Sequence, residues 1–546
     1  MAYIAAASGN SEGVDYVKQV ILSSNPLLEA FGNAKTLRND NSSRFGKYFE
    51  IQFNKRAEPC CGRITNYLLE KSRVVGQTEG ERNFHIFYQL VFGAPSELLT
   101  SLQLYEPKYF HYLNQSSCVK VDTVDDKKEF VDTCEAMRVM GIDDTIKDNI
   151  FEILAAILHL GNVNFVENQK GYASVDENSL EELDLAAKFF RVDASVLKNA
   201  MLFRVVEVQS KRGSTYNSPQ NVEQAGSARD SLSKTIYSRL FDWLVGKVNE
   251  ALSRGGESSE LVIGILDIFG FEIFEWNGFE QFCINFVNEK LQQYFIELTL
   301  KAEQEEYQEE GIKWTPIKYF NNQVVCDLIE GKKPPGIFQL LDDICSTAHA
   351  VSSQEADSKF LQKMGGGCNG NRFWRGFNTA FSVQHYAGDV TYECAGFTEK
   401  NKDTLFKDLI ETVQSSEMDF LASLFPEDLS VQGSKRPTTA GFKMRTSAAE
   451  LMKALSSCTP HYVRCIKPND QKKPRTMDKD RVVHQVKYLG LLENVRVRRA
   501  GFAYRAPFER FIKRYKKVKK KALFFFCIFF SFFFFFFLFF FFFLFF

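Results

Sequence analysis

The chain has 546 residues, with 67 Lys and Arg against 68 Asp and Glu, and its formal net charge is −1. This length exceeds what one hydrophobic core organises, so several subdomains are expected, and the balanced charge argues against a nucleic-acid binder dominated by phosphate contacts. The 12 cysteines show no CxxC pair, no metal-like Cys/His spacing and no preceding signal peptide, which is typical of a reduced, cytosolic protein. Cys60 and Cys61 are therefore expected to be free thiols.

The first informative stretch is a polar loop over residues 39–47, which follows a predicted helix over residues 3–20 and precedes a strand-like segment over 48–53. The loop reads Asn-Asp-Asn-Ser-Ser-Arg-Phe-Gly-Lys. Its small hydroxyls are hard oxygen ligands of the kind that a nucleotide-bound Mg²⁺ takes from proteins. Arg44 offers a planar fork suited to a carboxylate such as Glu272. The weaker alternative for this loop is a glycosylation sequon.

The next segments indicate core elements. Residues 64–69 are strand-like, and apolar periodicity predicts amphipathic helices over 81–90 and 145–160. His85 and His159 lie within these apolar stretches, so both are expected to be structural core histidines.

A polar loop over residues 211–216 contains Ser214 two positions after Arg212. This spacing makes Ser214 accessible to a kinase that prefers basic residues. From spacing alone, an ordinary exposed loop with two cations is the favoured interpretation.

The most informative stretch begins with the apolar run 261–266. A short apolar run bounded by turn residues predicts a buried central strand, most simply a parallel one. Asp267 follows it at the end where α/β proteins place ligand chemistry, and Gly270 allows close backbone approach to a ligand. Glu272 opens a helical pattern that extends to Leu298. The alternative is an ordinary Asp-x-x-Gly turn after a buried strand.

The remaining segments are a helix–turn–helix start over 325–338, a modestly basic loop over 426–441, a second basic turn over 467–474 and a helix over 485–500. The segment 523–546 contains 18 Phe. Its length would suit a membrane span, but its residues are encoded by codons close to TTT, which favours a translated T-rich intron.

The two polar loops together resemble the switch I and switch II sequences of the myosin motor family, Asn-x-Asn-Ser-Ser-Arg-Phe-Gly and Asp-Ile-x-Gly-Phe-Glu. The resemblance extends from Ala2 to about Tyr515 and includes the matching segments 25–36, 385–390, 461–469 and 488–496. Kinesins share the Ser-Ser-Arg arrangement, but their switch loops carry Ser-His and Ala-Gly-Ser instead. The context of Ser214 is most similar to amoeboid and fungal class I myosins.

This resemblance implies an α/β fold of the P-loop NTPase type, with a mostly parallel central sheet and large helical insertions that form an actin-binding cleft. The sequence has no G-x-x-x-x-G-K-[ST] segment, so the expected fold is incomplete. The expected divisions are a partial motor domain over 1–501, the start of a converter over 502–515, and a basic then Phe-rich tail over 516–546. An upstream exon is expected to encode the phosphate-binding loop.

The implied cofactors are ATP and Mg²⁺. By resemblance, Asn39 contacts the phosphates, Ser42 helps hold the attacking water, and Ser43 ligates Mg²⁺. Asp267 holds a Mg²⁺-bound water, and the Gly270 amide senses the γ-phosphate. Arg44 and Glu272 are expected to form a charge-assisted gate behind that phosphate.

The implied partner is filamentous actin. Its expected contacts, by resemblance, are Lys332, Pro334, Pro335, Ile337, Phe338, Lys435, Arg436, His461, Arg464 and Lys467. Pro334 and Pro335 are expected to stiffen the turn and present Ile337 and Phe338 at the surface. Ser214 falls at the family's regulatory phosphorylation position on the actin-facing rim.

The whole family couples ATP hydrolysis to sliding on actin in the cytoplasm, at the cytoskeleton and cell cortex. A light chain or calmodulin would bind only through a missing IQ region, and a membrane only through a missing tail. The alternative function is a catalytically inactive actin-binding fragment, because without the phosphate-binding loop the β-phosphate loses its cradle and lysine.

Overall fold

A computed structural model describes residues 12–207, 215–253, 261–313, 321–347, 352–402, 405–429, 439–469, 471, 473–489, 491, 495 and 506–516. The chain divides into two compact units. The first comprises Met1–Gln292 and Asn322–His461, and the second comprises Gln293–Asn321 and Tyr462–Phe546.

The helices are numbered in chain order. They are α1 (Glu12–Gly32), α2 (His85–Gly93), α3 (Ser96–Ser101), α4 (His111–Asn114), α5 (Asp126–Val139), α6 (Asp144–Gly161), α7 (Leu180–Phe190), α8 (Ala194–Leu202), α9 (Val222–Ser253), α10 (Phe279–Phe295), α11 (Ala302–Glu309), α12 (Gln323–Glu330), α13 (Ile337–Thr347), α14 (Ser353–Gly367), α15 (Phe397–Lys402), α16 (Lys407–Gln414), α17 (Asp419–Ser423), α18 (Ala440–Ser456) and α19 (Lys479–Tyr488).

The strands are short. They are β1 (Asn33–Ala34), β2 (Ser42–Ser43), β3 (Gly46–Phe53), β4 (Pro59–Tyr67), β5 (Phe165–Glu167), β6 (Ala173–Val175), β7 (Phe203–Glu207), β8 (Thr215–Pro219), β9 (Leu261–Asp267), β10 (Trp374–Gly376), β11 (Ala380–His385) and β12 (Gly388–Glu393).

The sheet nearest the two polar loops has the strand order β4-β3-β9. β3 and β4 form a hairpin, and β9 adds to the other edge of β3 with Lys47 opposite Asp267 and Phe53 opposite Leu261. Gly264 of β9 lies against the ring of Tyr48, where a larger residue would collide with the phenol.

The expected strand over 261–266 is confirmed, but its expected burial and parallel pairing are wrong for the described residues. β9 runs antiparallel to β3 and is an edge strand there, with Leu261 56% and Val262 47% exposed. Every strand pairing among the described residues is antiparallel. An apolar run reports strand propensity but not the direction of its neighbour, so the sequence pattern could not decide this point.

The main core lies in the first unit, between the β3–β4 hairpin and the helices packed around α9. α9 buries a long apolar stripe that includes Leu232, Ile236, Leu240 and Leu244. The predicted helix over 145–160 is confirmed as α6, with Asp143 accepting a hydrogen bond from the Ile146 amide at its start. α9 packs against β4, and Asn249 of α9 bonds the N–H and the carbonyl of Ile64, so α9 holds the hairpin that follows the first polar loop.

The helix after Glu272 begins later than predicted. Residues 272–278 are not helical, and α10 starts at Phe279. Asn277 bonds both the N–H and the carbonyl of Phe274, and the Gly278 N–H donates to Gln281 Oε1, so side chains close this turn before the helix starts. A π-helical turn, Ile296–Lys301, follows α10.

The predicted helix–turn–helix over 325–338 is confirmed by α12 and α13. Within the described ranges, no helix has both the length and the apolar character that crossing a membrane requires. The Phe-rich tail lies outside the described residues.

Candidate functional site

Arg44 connects the two polar loops. Its Nη1 lies 2.9 Å from Glu272 Oε1, and its side chain is only 2% exposed. Nη1 also donates to Ser42 Oγ at 3.3 Å. The structure thus brings together Ser42, Arg44 and Glu272, although Arg44 and Glu272 are separated by 228 positions in the chain.

A second carboxylate, Glu70, holds the same arginine from the other side. Arg44 Nε lies 2.6 Å from Glu70 Oε2, and Arg73 Nε lies 2.8 Å from the same oxygen. Arg73 in turn pairs with Glu81 at 2.8 Å. The two guanidiniums lower the pKa of Glu70 to about 2, against the burial that would raise it. Glu70 is a site residue that the sequence analysis missed, because nothing in its local pattern points to Arg44.

The main chain of Glu272 is fixed by Asn285 of α10. The Glu272 N–H donates to Asn285 Oδ1 at 2.8 Å, and Asn285 Nδ2 donates back to the Glu272 carbonyl at 2.8 Å. Asn288 Nδ2, one turn further along α10, donates to the Phe269 carbonyl at 3.1 Å. The second polar loop is therefore tied to α10 by neutral amide hydrogen bonds.

A chain of buried polar contacts extends from Asn285 within the first unit. Asn285 Nδ2 donates to Tyr392 Oη at 2.9 Å, and Tyr392 Oη lies 2.8 Å from His385 Nε2. His385 Nδ1 lies 2.8 Å from Glu289, a carboxylate that also accepts from Asn322 Nδ2 at 2.6 Å. All these partners are buried, and most of their polar groups are satisfied by one another. The exception is Asn322 Oδ1, a buried atom with no hydrogen-bond partner in the part of the chain that the structure describes.

The remaining predicted phosphate and metal residues lie on the same two loops. Ser43 Oγ donates to the Phe45 carbonyl at 2.6 Å, and Asn39 is bonded within its own loop. Asp267 is 54% exposed and lies 3.5 Å from Lys47 Nζ. A Cβ atom added to Gly270 would meet no atom within 4 Å, so its backbone faces open space. This set of hydroxyls, an accessible carboxylate and an open backbone fits a hard cation and a phosphate.

A cavity of about 480 Å³ lies beside the Arg44–Glu70 pair. Phe269, Cys283 and Lys400 also line it. Lys400 pairs with Glu280 at 2.9 Å, and this contact raises the pKa of Lys400 against the opposing effect of burial. The cavity therefore has a charged wall next to the gate and an apolar wall on α10.

The predicted actin contacts separate into two groups. Lys332, Pro334 and Pro335 are exposed on the turn between α12 and α13. Ile337 and Phe338 are fully buried, so the expectation that the turn presents them at the surface is wrong. Phe338 packs against the rings of Phe282 and Phe286, because the first turn of α13 faces α10 rather than solvent.

The other predicted actin contacts lie in both units or outside the described residues. His461 is exposed in the first unit. In the second unit, the Arg464 guanidinium lies 4.5 Å from the ring centroid of Phe295, and the Lys467 N–H donates to Gln485. Lys435, Arg436 and Ser214 lie outside the described residues.

Asp342 joins the end of the predicted basic loop to α13, the helix that follows the exposed turn. It accepts from Thr439 Oγ1 at 2.6 Å and from Asn401 Nδ2 at 3.0 Å, and it pairs with Arg445. Asn401 Oδ1 accepts from the Gly441 N–H at 2.7 Å. The segment that follows the loop is therefore fixed to α13, on the same unit as the turn at Lys332.

Both histidines are buried, as expected for core positions. His159 is fully buried between Glu182 and the Leu102 carbonyl. His85 lies 3.1 Å from Asn41 Oδ1, and burial lowers its pKa to about 3. The described cysteines are free thiols, Cys60 and Cys61 included. No group of three or more His, Cys, Asp or Glu side chains that could hold a metal ion occurs in the part of the chain that the structure describes.

Comparison with known proteins supports the family resemblance that the two polar loops indicate. Residues 1–526 match the family model of the myosin head (motor domain). Myosin IB heavy chain of Dictyostelium discoideum is 62% identical over 524 residues, which is 95% of this chain and 47% of that protein. Myosin heavy chain IB of Acanthamoeba castellanii is 64% identical, over 95% of this chain and 44% of that protein. Myosin-1 of Emericella nidulans is 51% identical, over 94% and 41%.

The chain thus spans about half the length of these relatives. The resemblance predicted from the switch-like loops is confirmed by a match that includes both loops and α10. With a family model covering most of its length, this chain belongs to the myosin head family.

Proposed function

We propose that this chain is the ATP-hydrolysing, actin-binding part of a class I type motor, in which the Arg44–Glu272 pair gates hydrolysis. The observation that supports the gate best is the 2.9 Å contact between two loops that are distant in sequence, made by an arginine that is almost fully buried. A charge-assisted contact of this kind forms only when both loops are in place, so it can report their closure.

Each loop residue has a role in this proposal. Mg²⁺–ATP, when bound, supplies the phosphoryl group and the charge that polarises it, and the protein contributes positioning and electrostatics. Asn39 would donate to the phosphates, and Ser43 and, through water, Asp267 would hold the metal. Ser43 would give up its present hydrogen bond to the Phe45 carbonyl to bind the metal. Ser42, which already contacts Arg44, would orient the attacking water, and the Gly270 N–H would donate to the γ-phosphate.

The proposal also includes the fold of the whole motor domain. β9 is the outer strand of its three-stranded sheet among the described residues, and several of its apolar side chains are exposed. An exposed edge strand can pair with a further strand. We expect the sheet of the whole motor domain, of the P-loop NTPase type and mostly parallel, to continue from this edge.

Actin binding would use the exposed turn at Lys332, Pro334 and Pro335, together with the basic loop that contains Lys435 and Arg436 and the segment from His461 to Lys467. The anchoring of residues 439–445 on α13 by Asp342 supports this grouping for the turn and the loop. Basic side chains there would steer the chain to acidic actin. The corresponding location is cytoplasmic, on the actin cytoskeleton at the cell cortex.

The test combines ATP binding with steady-state turnover. In a motor that contains the phosphate-binding loop, Arg44→Ala and Glu272→Ala should each abolish ATPase activity. ATP binding should stay largely intact, because that loop is expected to be the main nucleotide anchor. The double variant Arg44→Glu with Glu272→Arg should recover part of the activity. Arg191 and Glu152 form an ion pair elsewhere at 2.9 Å, and swapping those two charges is the matched control, expected to leave turnover unchanged.

Weakened ATP binding in both single variants, together with no recovery in the swap, would contradict the gate. The alternative, an inactive actin-binding fragment, is tested on the chain as printed. If that chain sediments with actin and shows no ATP binding by calorimetry, its own function is the binding one.

A further inference from the structure

Two adjacent cysteines in the β3–β4 hairpin place their sulfurs side by side. Successive residues of a regular strand point to opposite faces. Here the register shifts, with Gln52 opposite Cys61 but Phe53 opposite Pro59, so Cys60 is the extra residue of a β-bulge. The bulge turns both side chains to one side, with the two Sγ atoms 3.8 Å apart.

The surrounding hairpin fixes this geometry. The Asn54 N–H donates to the Glu58 carbonyl at 2.8 Å, and Asn54 Oδ1 accepts from the amides of Arg56 and Glu58. Gln52 faces both thiols: its carbonyl lies 3.4 Å from Cys60 Sγ, and its Oε1 lies 3.1 Å from Cys61 Sγ. The dithiol is therefore preorganised by the turn and by one opposite residue.

The protonation state limits the chemistry that this pair supports. Burial raises the pKa of the Cys61 thiol to about 11, so Cys61 keeps its hydrogen near neutral pH and donates to Gln52 Oε1. Thiolate is the form that binds Zn²⁺ and that reacts with peroxides, and it is scarce at Cys61. The two residues are 8% and 9% exposed, so only a small reagent reaches them.

We propose that Cys60 and Cys61 form a binding site for the trivalent oxyacid of arsenic, which two neighbouring thiols capture as a cyclic dithioarsenite. The balanced step is As(OH)₃ plus two S–H groups giving (S)₂As–OH plus two waters. Two As–O bonds break, two As–S bonds form, and each thiol hydrogen leaves on a departing hydroxide. No electrons are transferred, so the step needs no oxidant.

Oxidation to a disulfide is the competing fate of such a pair. It would have to bring the sulfurs from 3.8 Å to about 2.0 Å within the bulge. It would also need a peroxide to attack a thiol that burial keeps protonated. Bridging through one arsenic atom avoids both requirements.

The test uses the full chain incubated with arsenite and then passed into buffer with excess monothiol, with bound arsenic measured by native mass spectrometry. One arsenic per chain should remain, and 2,3-dimercaptopropanol should remove it. Cys60→Ser and Cys61→Ser should each lower retention at least tenfold. Cys458→Ser removes an exposed thiol elsewhere and is the matched control, expected to retain arsenic as the parent does.

X-ray absorption at the arsenic edge gives a readout that does not depend on the variants folding equally well. It should show two sulfur neighbours and one oxygen. Retention by either Ser variant equal to the parent, no retention by the parent, or three sulfur neighbours would each overturn the two-thiol site. This inference is independent of motor activity, so an inactive chain tests it equally well.

Discussion

The two loops of the gate are held by different forces. The loop with Arg44 is held by charge, because Arg44 lies between Glu272 and Glu70, and Glu70 is shared with Arg73. The loop with Glu272 is held by neutral amide bonds from Asn285 and Asn288 of α10.

If the Arg44–Glu272 pair acts as the proposed gate, this difference predicts that the Glu272 side moves. Arg44 would keep its 2.6 Å contact with Glu70 after Glu272 leaves and would remain a paired, buried cation. Leaving a buried charge unpaired is strongly unfavourable, so we expect the arginine side to stay in place. Movement of the Glu272 side would be transmitted to α10 through Asn285.

Among variants that keep both Arg44 and Glu272, the largest effect is expected from breaking the neutral side. Asn285→Ala removes both hydrogen bonds to the Glu272 main chain, and each buried unsatisfied partner costs about 1–3 kcal/mol. Steady-state ATPase of the complete motor should fall roughly ten- to hundredfold. Tyr392→Phe is the matched control, since it removes a hydroxyl from the buried chain and keeps both bonds to Glu272. Equal losses in the two variants would mean that the Asn285–Glu272 contact has no special role.

A smaller effect is expected from neutralising the charged side. Glu70→Gln keeps the size of the side chain and removes its charge, so Arg44 loses part of its positioning. We expect an ATPase decrease of about three- to tenfold, in line with a charge-assisted hydrogen bond becoming a neutral one. Glu81→Gln, one ion pair further away, should have less effect.

Glu70 also affects the result expected from the charge swap. In the double variant Arg44→Glu with Glu272→Arg, the new glutamate faces Glu70. Adding Glu70→Gln should therefore raise the recovered activity above that of the double variant. A triple variant no better than the double would show that Glu70 does not act on residue 44.

Acid stability gives a further test of Glu70. Its folded-state pKa of about 2 lies below the ordinary value of 4.5, so its stabilising contribution is present above about pH 4.5 and is lost as the pH falls toward 2. This difference corresponds to about 3 kcal/mol. Urea unfolding followed from pH 6 to pH 3 should show a shallower pH dependence for Glu70→Gln than for the parent. Parallel curves would contradict the ionised pair.

The smallest effect concerns Ser214, which we propose, from the resemblance, as a regulatory position on the actin-facing rim. A carboxylate or phosphate at position 214 adds negative charge that can pair with basic groups at the actin contact. Ser214→Glu should raise actin-activated turnover several-fold above Ser214→Ala, with little change in the actin-free rate. The difference in actin-activated turnover between the two variants should decrease as the salt concentration is raised, because salt screens the charges. Identical actin-activated rates at low salt would make Ser214 an ordinary loop serine.

The sequence by itself determined the family and the two loops, because these depend on residue types at fixed spacing within each loop. The pairing of Arg44 with Glu272 was implied by the resemblance to that family, and the contact between their side chains confirms it. It also predicted α6, α12, α13 and the strand β9, whose apolar periodicity is local.

Only the tertiary structure decided the direction of β9, the burial of Ile337 and Phe338, and the role of Glu70. Strand direction depends on which edge is available, and the exposure of α13 depends on where α10 packs. Glu70 became a site residue because the β4 strand ends beside Arg44. Each of these facts is a contact between segments distant in the chain, which no local pattern encodes.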